Sequence, residues 1–126
     1  MFSAMGTTVV AVLINGDEVV VSHAGDSRAY LVRDGALQQL TTDHSYVQDL
    51  IDRGSITPEE ALSHPQSHVL TRCLGAEPRL EVDTQEFWIW GSSESEPQDR
   101  IVICSDGLYS LVGDDEIAQA ASQFSP

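Results

Sequence analysis

Ile101-Val102-Ile103-Cys104-Ser105-Asp106-Gly107-Leu108 is the stretch on which the fold turns. Its unbroken apolar run, rich in β-branched residues, predicts a strand sealed from water. Ser-Asp-Gly then ends the run with a turn and swings one carboxylate past the strand end. A carboxylate fixed on the rim of a buried strand is a rigidly aimed oxygen donor of the kind that hard divalent cations take. Ser-Asp-Gly is also a common way to close a turn, and on the tripeptide alone that plainer reading of Asp106 comes first. The residues further out change the balance.

The whole chain sets the bounds. Its 126 residues make at most one small domain, and an apolar fraction of 41% with alternating segments points to a folded chain. Charge is the outlying property: 20 acidic residues stand against six arginines with no lysine, a net charge of −14. Such a surface repels phosphate backbones and anionic headgroups, which excludes nucleic acid and membrane lipid as expected partners, and it attracts cations. Most of these carboxylates simply solvate the surface. Cys73 and Cys104 lie in apolar runs without zinc spacing or a nucleophile signature, and are expected to be reduced core residues of a cytoplasmic protein. No stretch has the length of a membrane span, and Met1-Phe2-Ser3-Ala4-Met5 lacks signal-peptide architecture. Gly91–Asp99, rich in Ser and Glu, reads as an exposed loop.

Upstream, Thr7–Ile14 is apolar on both alternating faces, Val9, Ala11 and Leu13 on one and Val10, Val12 and Ile14 on the other. That predicts a strand covered on both sides in a central sheet. Asn15-Gly16 is a strong hairpin signal, because both central residues of its turn need positive φ. Glu18–Ala24 returns, Gly25-Asp26 turns, Ser27–Val32 runs to a second hairpin turn at Arg33-Asp34-Gly35, and Ala36–Thr41 completes an expected four-strand antiparallel meander. The period then changes: Tyr46, Val47, Leu50 and Ile51 recur at helical spacing, with Gly54 at the C-terminal position. Thr57-Pro58-Glu59-Glu60 starts a short helix, with Thr57 as cap and Glu60 placed to reach back. Val69–Leu74 and Glu81–Trp90 are predicted strands, with Trp88 and Trp90 sharing a face expected to be core; Asp114 or Asp115 caps a last helix running to about Ala121. The order is α+β, with no regular βαβ alternation and no Gly-rich nucleotide loop.

Ser22-His23-Ala24-Gly25-Asp26-Ser27-Arg28 turns an apolar strand polar and small at its end, as a pocket floor would be. Asp26 and Asp106 are thus both carboxylates at strand ends; side by side they make an acidic pit suited to Mg²⁺ or Mn²⁺. A structural pair with Arg28 or a turn-capping role for Asp26 stands level with that reading. Among the four histidines, His64 and His68 are separated by Pro65, which breaks a shared helical face and disfavours a metal pair. His44 is placed in a turn, and His23 is expected to be a hydrogen-bonded core residue. No Ser-His-Asp order, nucleophile elbow or Cys-His pair is supported by its surroundings.

A series of motifs in order then resembles the metal-dependent protein phosphatases, the PPM or protein phosphatase 2C family, in its bacterial branch. They are Met5-Gly6-Thr7-Thr8, His23-Ala24-Gly25-Asp26-Ser27-Arg28-Ala29-Tyr30-Leu31, Leu40-Thr41-Thr42-Asp43-His44-Ser45, Gly54-Ser55-Ile56-Thr57-Pro58-Glu59-Glu60-Ala61, His64-Pro65, Leu70-Thr71-Arg72-Cys73-Leu74-Gly75 and Cys104-Ser105-Asp106-Gly107-Leu108. Each alone is weak; together they span nearly the whole chain. The resemblance implies two antiparallel sheets packed face to face with helices outside. It implies hydrolysis of phosphoserine and phosphothreonine in protein substrates, by two Mg²⁺ or Mn²⁺ ions holding a bridging water that attacks phosphorus in line without a covalent phosphoenzyme. Asp106 maps onto a ligand of the metal core with Gly107 in the backbone of the same loop, and Asp26 onto a ligand of an additional metal. Residues from about Ser45 to Leu70 map onto a flap beside the active site, where His44, Ser45, His64 and His68 are candidates for tuning substrate access.

The departures carry expectations of their own. The sequence has no Asp-Gly-x-Gly-Gly and no Asp-Asn motif, so residues 1–126 are expected to be a partial domain, lacking the N-terminal half and the final strand, with one ligand of the core metal set. A lone carboxylate holds Mg²⁺ weakly against its waters, so the chain alone is expected to be inactive and to self-associate or join a complementing chain. The rival readings are a non-catalytic truncated phosphatase fold that regulates or binds phosphoproteins, and a structural domain whose carboxylates are only surface charge.

Overall fold

The computed structural model describes residues 5–89 and 99–123. Its elements are β1 (Val9–Asn15), β2 (Glu18–Ala24), β3 (Arg28–Arg33), β4 (Ala36–Gln39), α1 (Tyr46–Asp52), α2 (Pro58–Leu62), β5 (Asp83–Trp88), β6 (Arg100–Cys104), α3 (Asp106–Tyr109) and α4 (Asp114–Gln123). Both hairpins form where their turn residues demand them, with Gly16 at φ 62° and Asp34-Gly35 at 52° and 76°.

The hairpins do not continue as one meander. The strands form two antiparallel sheets, ordered β1-β2-β5 and β4-β3-β6. The chain changes sheet between Ala24 and Arg28, because β2 and β3 each carry an alternating apolar set that is buried by facing the other. Val19 and Val21 of β2 meet Ala29 and Leu31 of β3, with Leu40, Val10, Val12, Phe87, Ile89 and Ile101 around them. The other face of β3 buries Tyr30 and Val32, and α4 packs on the same sheet through Ile117 and Ala118. The layers are therefore helix, sheet, sheet, as the α+β reading and the implied sandwich require.

Several local expectations are corrected. β1 is the edge of its sheet rather than a central strand, with Leu13 67% and Ile14 54% exposed. β6 is likewise an edge, and Ile103 is 52% exposed rather than sealed from water. Trp88 is 66% exposed: it sits opposite Glu18 on the outer face of the sheet, while Phe87, opposite Val19, points into the core. Trp90 and nearly all of the Ser/Glu-rich stretch lie outside the described residues. Val69–Leu74 is not a strand, because its backbone is shared between two separate partners: Val69 accepts from Tyr46 N–H, Thr71 donates to His44, and Leu74 exchanges both bonds with Thr7. Cys73 and Cys104 are free thiols, half-buried rather than fully in the core. Among the described residues no helix is long and apolar enough to cross a membrane.

Candidate functional site

Asp26 sits where the chain leaves β2 for β3, and Asp106 opens the one-turn helix α3 directly after β6. Because β6 pairs with β3, with Arg28 opposite Cys104, the two strand ends emerge side by side. The sequence placed Asp106 on a turn; the turn continues into a helix, with the Ser105 carbonyl accepting from Leu108 N–H and Asp106 from Ser110 N–H. Gly107, on that turn, is exposed.

The two carboxylates sense each other. Burial raises the pKa of Asp26 from its ordinary value, and repulsion from Asp106 and then from Asp43 adds to the rise. Opposing this are its own backbone N–H and, more weakly, the Arg28 charge. The alternative in which Arg28 pairs with Asp26 gives way to another partner: the Arg28 fork grips Asp43 with Nε–Oδ1 at 2.9 Å and Nη2–Oδ2 at 2.6 Å. This leaves negative charge gathered around Asp26 and Asp106. The donor set, half-buried carboxylate oxygens that repel one another, fits a hard divalent cation.

Tyr109 ties the two ends together. One turn along α3 from Asp106, its hydroxyl donates to the Asp26 carbonyl at 2.7 Å, while its ring lies under the Arg28 guanidinium, 3.6 Å from centroid to Cζ. Burial and the nearby Asp43 and Asp26 charges push the phenol pKa well above its ordinary value, so the hydroxyl stays a donor. Nothing in the local sequence marks Tyr109 for this task, because its partners are remote in the chain.

His44 and Ser45 do not border an open cleft. Both are buried; Ser45 accepts from Gln48 N–H as the cap of α1. His44 grips Gly25 from both sides, its N–H donating to the Gly25 carbonyl at 2.9 Å and its Nδ1 accepting from Gly25 N–H at 3.0 Å. Their polar atoms are engaged inside the fold, so any influence on substrate access would pass through the backbone they hold. His64 is half-buried with its ring edge-on to Tyr46, and His68 is exposed, so the two are not brought together as ligands. His23 is a buried, hydrogen-bonded residue, Nε2 lying 2.8 Å from the Thr42 carbonyl.

Asp83 joins this group unforeseen. His23, His44 and Asp83 bring possible ligand atoms within 4.8 Å of one another. With Nδ1 of His44 accepting, its proton is on Nε2, which donates to Asp83 Oδ2 at 2.7 Å. Arg72 Nη1 donates to Asp83 Oδ1 at 2.9 Å. A guanidinium beside the carboxylate and a fully engaged imidazole make this a hydrogen-bond relay, not a cation site.

A family model described as Protein phosphatase 2C matches residues 1–125. The serine/threonine phosphatase stp of Listeria welshimeri is 41% identical over 115 residues, covering 91% of this chain and 43% of that protein. The S. agalactiae serine/threonine phosphatase structure superposes with a TM-score of 0.85 at 38% identity, over 97% of this chain and 48% of that one. The catalytic domain of the serine/threonine protein phosphatase PstP, solved in complex with 2 manganese ions, gives 0.71 at 39% identity, over 94% of this chain and 46% of that one. The chain thus spans less than half the length of each of these proteins.

Proposed function

The chain belongs to the protein phosphatase 2C family, and from that premise we propose that it is a segment of a metal-dependent phosphatase domain that hydrolyses phosphoserine and phosphothreonine in proteins. The observation that supports this most is the placement of Asp26 and Asp106 at neighbouring ends of the paired strands β3 and β6, tied by the Tyr109 hydroxyl on the Asp26 carbonyl at 2.7 Å. In this reading Asp106 is a ligand of the metal core and Asp26 a ligand of an additional ion, with Gly107 carrying the backbone of the metal loop. Mg²⁺ or Mn²⁺, when bound, supplies charge neutralisation at the phosphoryl oxygens and an acidified water. The protein's own part is to hold the carboxylates rigidly: Tyr109 fixes Asp26 to α3, and the Arg28–Asp43 fork keeps Arg28 from neutralising the site. Residues 45–70 form the flap bordering the site, with its outer side, including His68, turned toward a phosphorylated protein. Two unbridged cysteines suit a reducing, cytoplasmic compartment.

The segment contributes few of the oxygen donors that a two-metal centre needs, so on its own it binds the ion weakly and does not turn over phosphopeptide. Calorimetry with Mn²⁺ on the purified chain and on the double variant Asp26→Asn/Asp106→Asn tests the site: heat of binding is expected for the first and none for the second. Equal heats would overturn the reading. A phosphothreonine peptide assay with Mn²⁺ runs beside it. Turnover by the chain alone that disappears in Asp106→Asn would place a complete active centre in these residues and refute the expectation of inactivity.

A further inference from the structure

We infer that His44 is a positioning residue that sets the Gly25–Asp26 turn for cation binding, and that Asp83 and Arg72 hold His44 in the one tautomer able to do so. The inference rests on the proposed role of Asp26 as a metal ligand.

The geometry runs in one direction through four residues. Asp26 has no regular secondary structure of its own; it is held from behind through the Gly25 peptide and from ahead by the Tyr109 hydroxyl on its carbonyl. Gly25 is held at both its N–H and its carbonyl by the single residue His44, at 3.0 and 2.9 Å. The N–H bond requires an unprotonated Nδ1, hence a proton on Nε2. Asp83 Oδ2, 2.7 Å from Nε2, is the acceptor that selects this form, and Arg72 holds the other Asp83 oxygen at 2.9 Å. Arg72 Nη1 also lies 3.2 Å from His44 Nε2, but both atoms carry protons in this arrangement, so that approach is not a bond. The His23 ring, stacked on His44 at 4.4 Å and 8°, closes the remaining face. An imidazole with both nitrogens used and one face covered is pinned, and through Gly25 it pins the residue that carries the carboxylate. Outer partners of this kind commonly change metal affinity by about 10–100-fold when removed.

Substitutions at His44 separate its two nitrogens. The backbone N–H of residue 44 keeps its bond to the Gly25 carbonyl in either variant; of the side-chain bonds, Asn places its amide oxygen near the Nδ1 position and keeps the one from Gly25 N–H, whereas Gln reaches the Nε2 position and keeps the one to Asp83. Mn²⁺ affinity of the purified chain, followed by the loss of the free-ion paramagnetic resonance signal, is expected to stay within about threefold of the original for His44→Asn and to fall about tenfold or more for His44→Gln. Equal losses in both, as a merely structural role would give, or no loss in either, would overturn the inference. Asp83→Ala is the second variant: half-exposed and bonded to His44 rather than to Asp26, it is expected to weaken Mn²⁺ binding severalfold, and unchanged affinity would refute the relay even if the His44 variants fail to fold. Asp26→Asn distinguishes the two levels of the argument. If it leaves Mn²⁺ binding intact, the ligand assignment itself fails; if it abolishes binding while His44→Gln does not, only the positioning role is lost.

Discussion

Gly25 is squeezed as well as gripped. Its φ is 112°, and a Cβ there would stand 2.5 Å from Thr8 Cγ2 and 2.8 Å from Thr8 Cβ. Thr8 cannot retreat easily, because its hydroxyl is hydrogen-bonded to the Ser27 hydroxyl at 2.7 Å, across the same turn. Gly25→Ala is therefore expected to cost about 1–3 kcal/mol of stability by urea denaturation, more than the same change at the open turn residue Gly16. Asp83 carries a pH signature. Hydrogen bonds from His44 and Arg72 hold its pKa below the ordinary aspartate value of 3.8. A carboxylate with a depressed folded-state pKa contributes stability that is whole above the unfolded value and fades as pH falls through the folded one. Denaturation midpoints of Asp83→Asn are expected to lie below those of the original near neutrality and to converge with them as pH falls past the ordinary aspartate value of 3.8 and through the depressed folded one; parallel curves across that range would contradict this. The role of Asp83 was illegible in the sequence: a lone Asp at the head of an expected strand shows nothing until β5 pairs with β2 and sets it opposite His23.

At the scale of elements, what could be read from the chain was what neighbours in sequence decide. The capping box of α2 is present on both sides, Thr57 accepting from Glu60 N–H and Glu60 accepting from Thr57 N–H. Gly54 at the end of α1 and the two hairpins follow from the same local chemistry. What could not be read was set by partners elsewhere. Val69–Leu74 has the composition of a strand but, among the described residues, no strand runs along it, and Trp88 faces outward because register, not hydrophobicity, chose Phe87 for the core. The site divides the same way: Asp26 and Asp106 announce themselves by their turns, whereas α3 and Tyr109 acquire meaning only when β6 lies beside β3. Tyr109→Phe removes the bond to the Asp26 carbonyl but keeps the ring under Arg28. It is expected to lower stability by about 1 kcal/mol and to weaken Mn²⁺ binding, since α3 and the Asp26 turn are then free to part. Unchanged Mn²⁺ affinity would mean that strand pairing alone keeps the carboxylates together.

For the whole molecule, the two-sheet core is asymmetric in its cover. The β4-β3-β6 sheet is backed by α4, whereas the β1-β2-β5 sheet presents Leu13 and Trp88 on its outer face, both about two-thirds exposed. Along the same sheet β1 is an edge, with backbone groups facing away from β2 and, among the described residues, no strand beyond it. An apolar face next to an open edge favours association, by pairing at the edge or by face-to-face burial. Opposing it is the charge of −14 on each copy, whose repulsion is long-ranged at low ionic strength and short-ranged at high. The two effects separate by salt. Light scattering of the purified chain is expected to show mass rising with protein concentration, and rising further as salt is increased from about 0.01 to 0.5 M, over which the screening length falls severalfold. Leu13→Glu combined with Trp88→Glu should return the monomer at every salt concentration, since it adds charge where the apolar face was. A monomer throughout for the original chain would mean that charge and the exposed polar groups of the same face protect it. Association that weakens with salt would instead assign the contact to ion pairs, which the scarcity of basic residues makes hard to build.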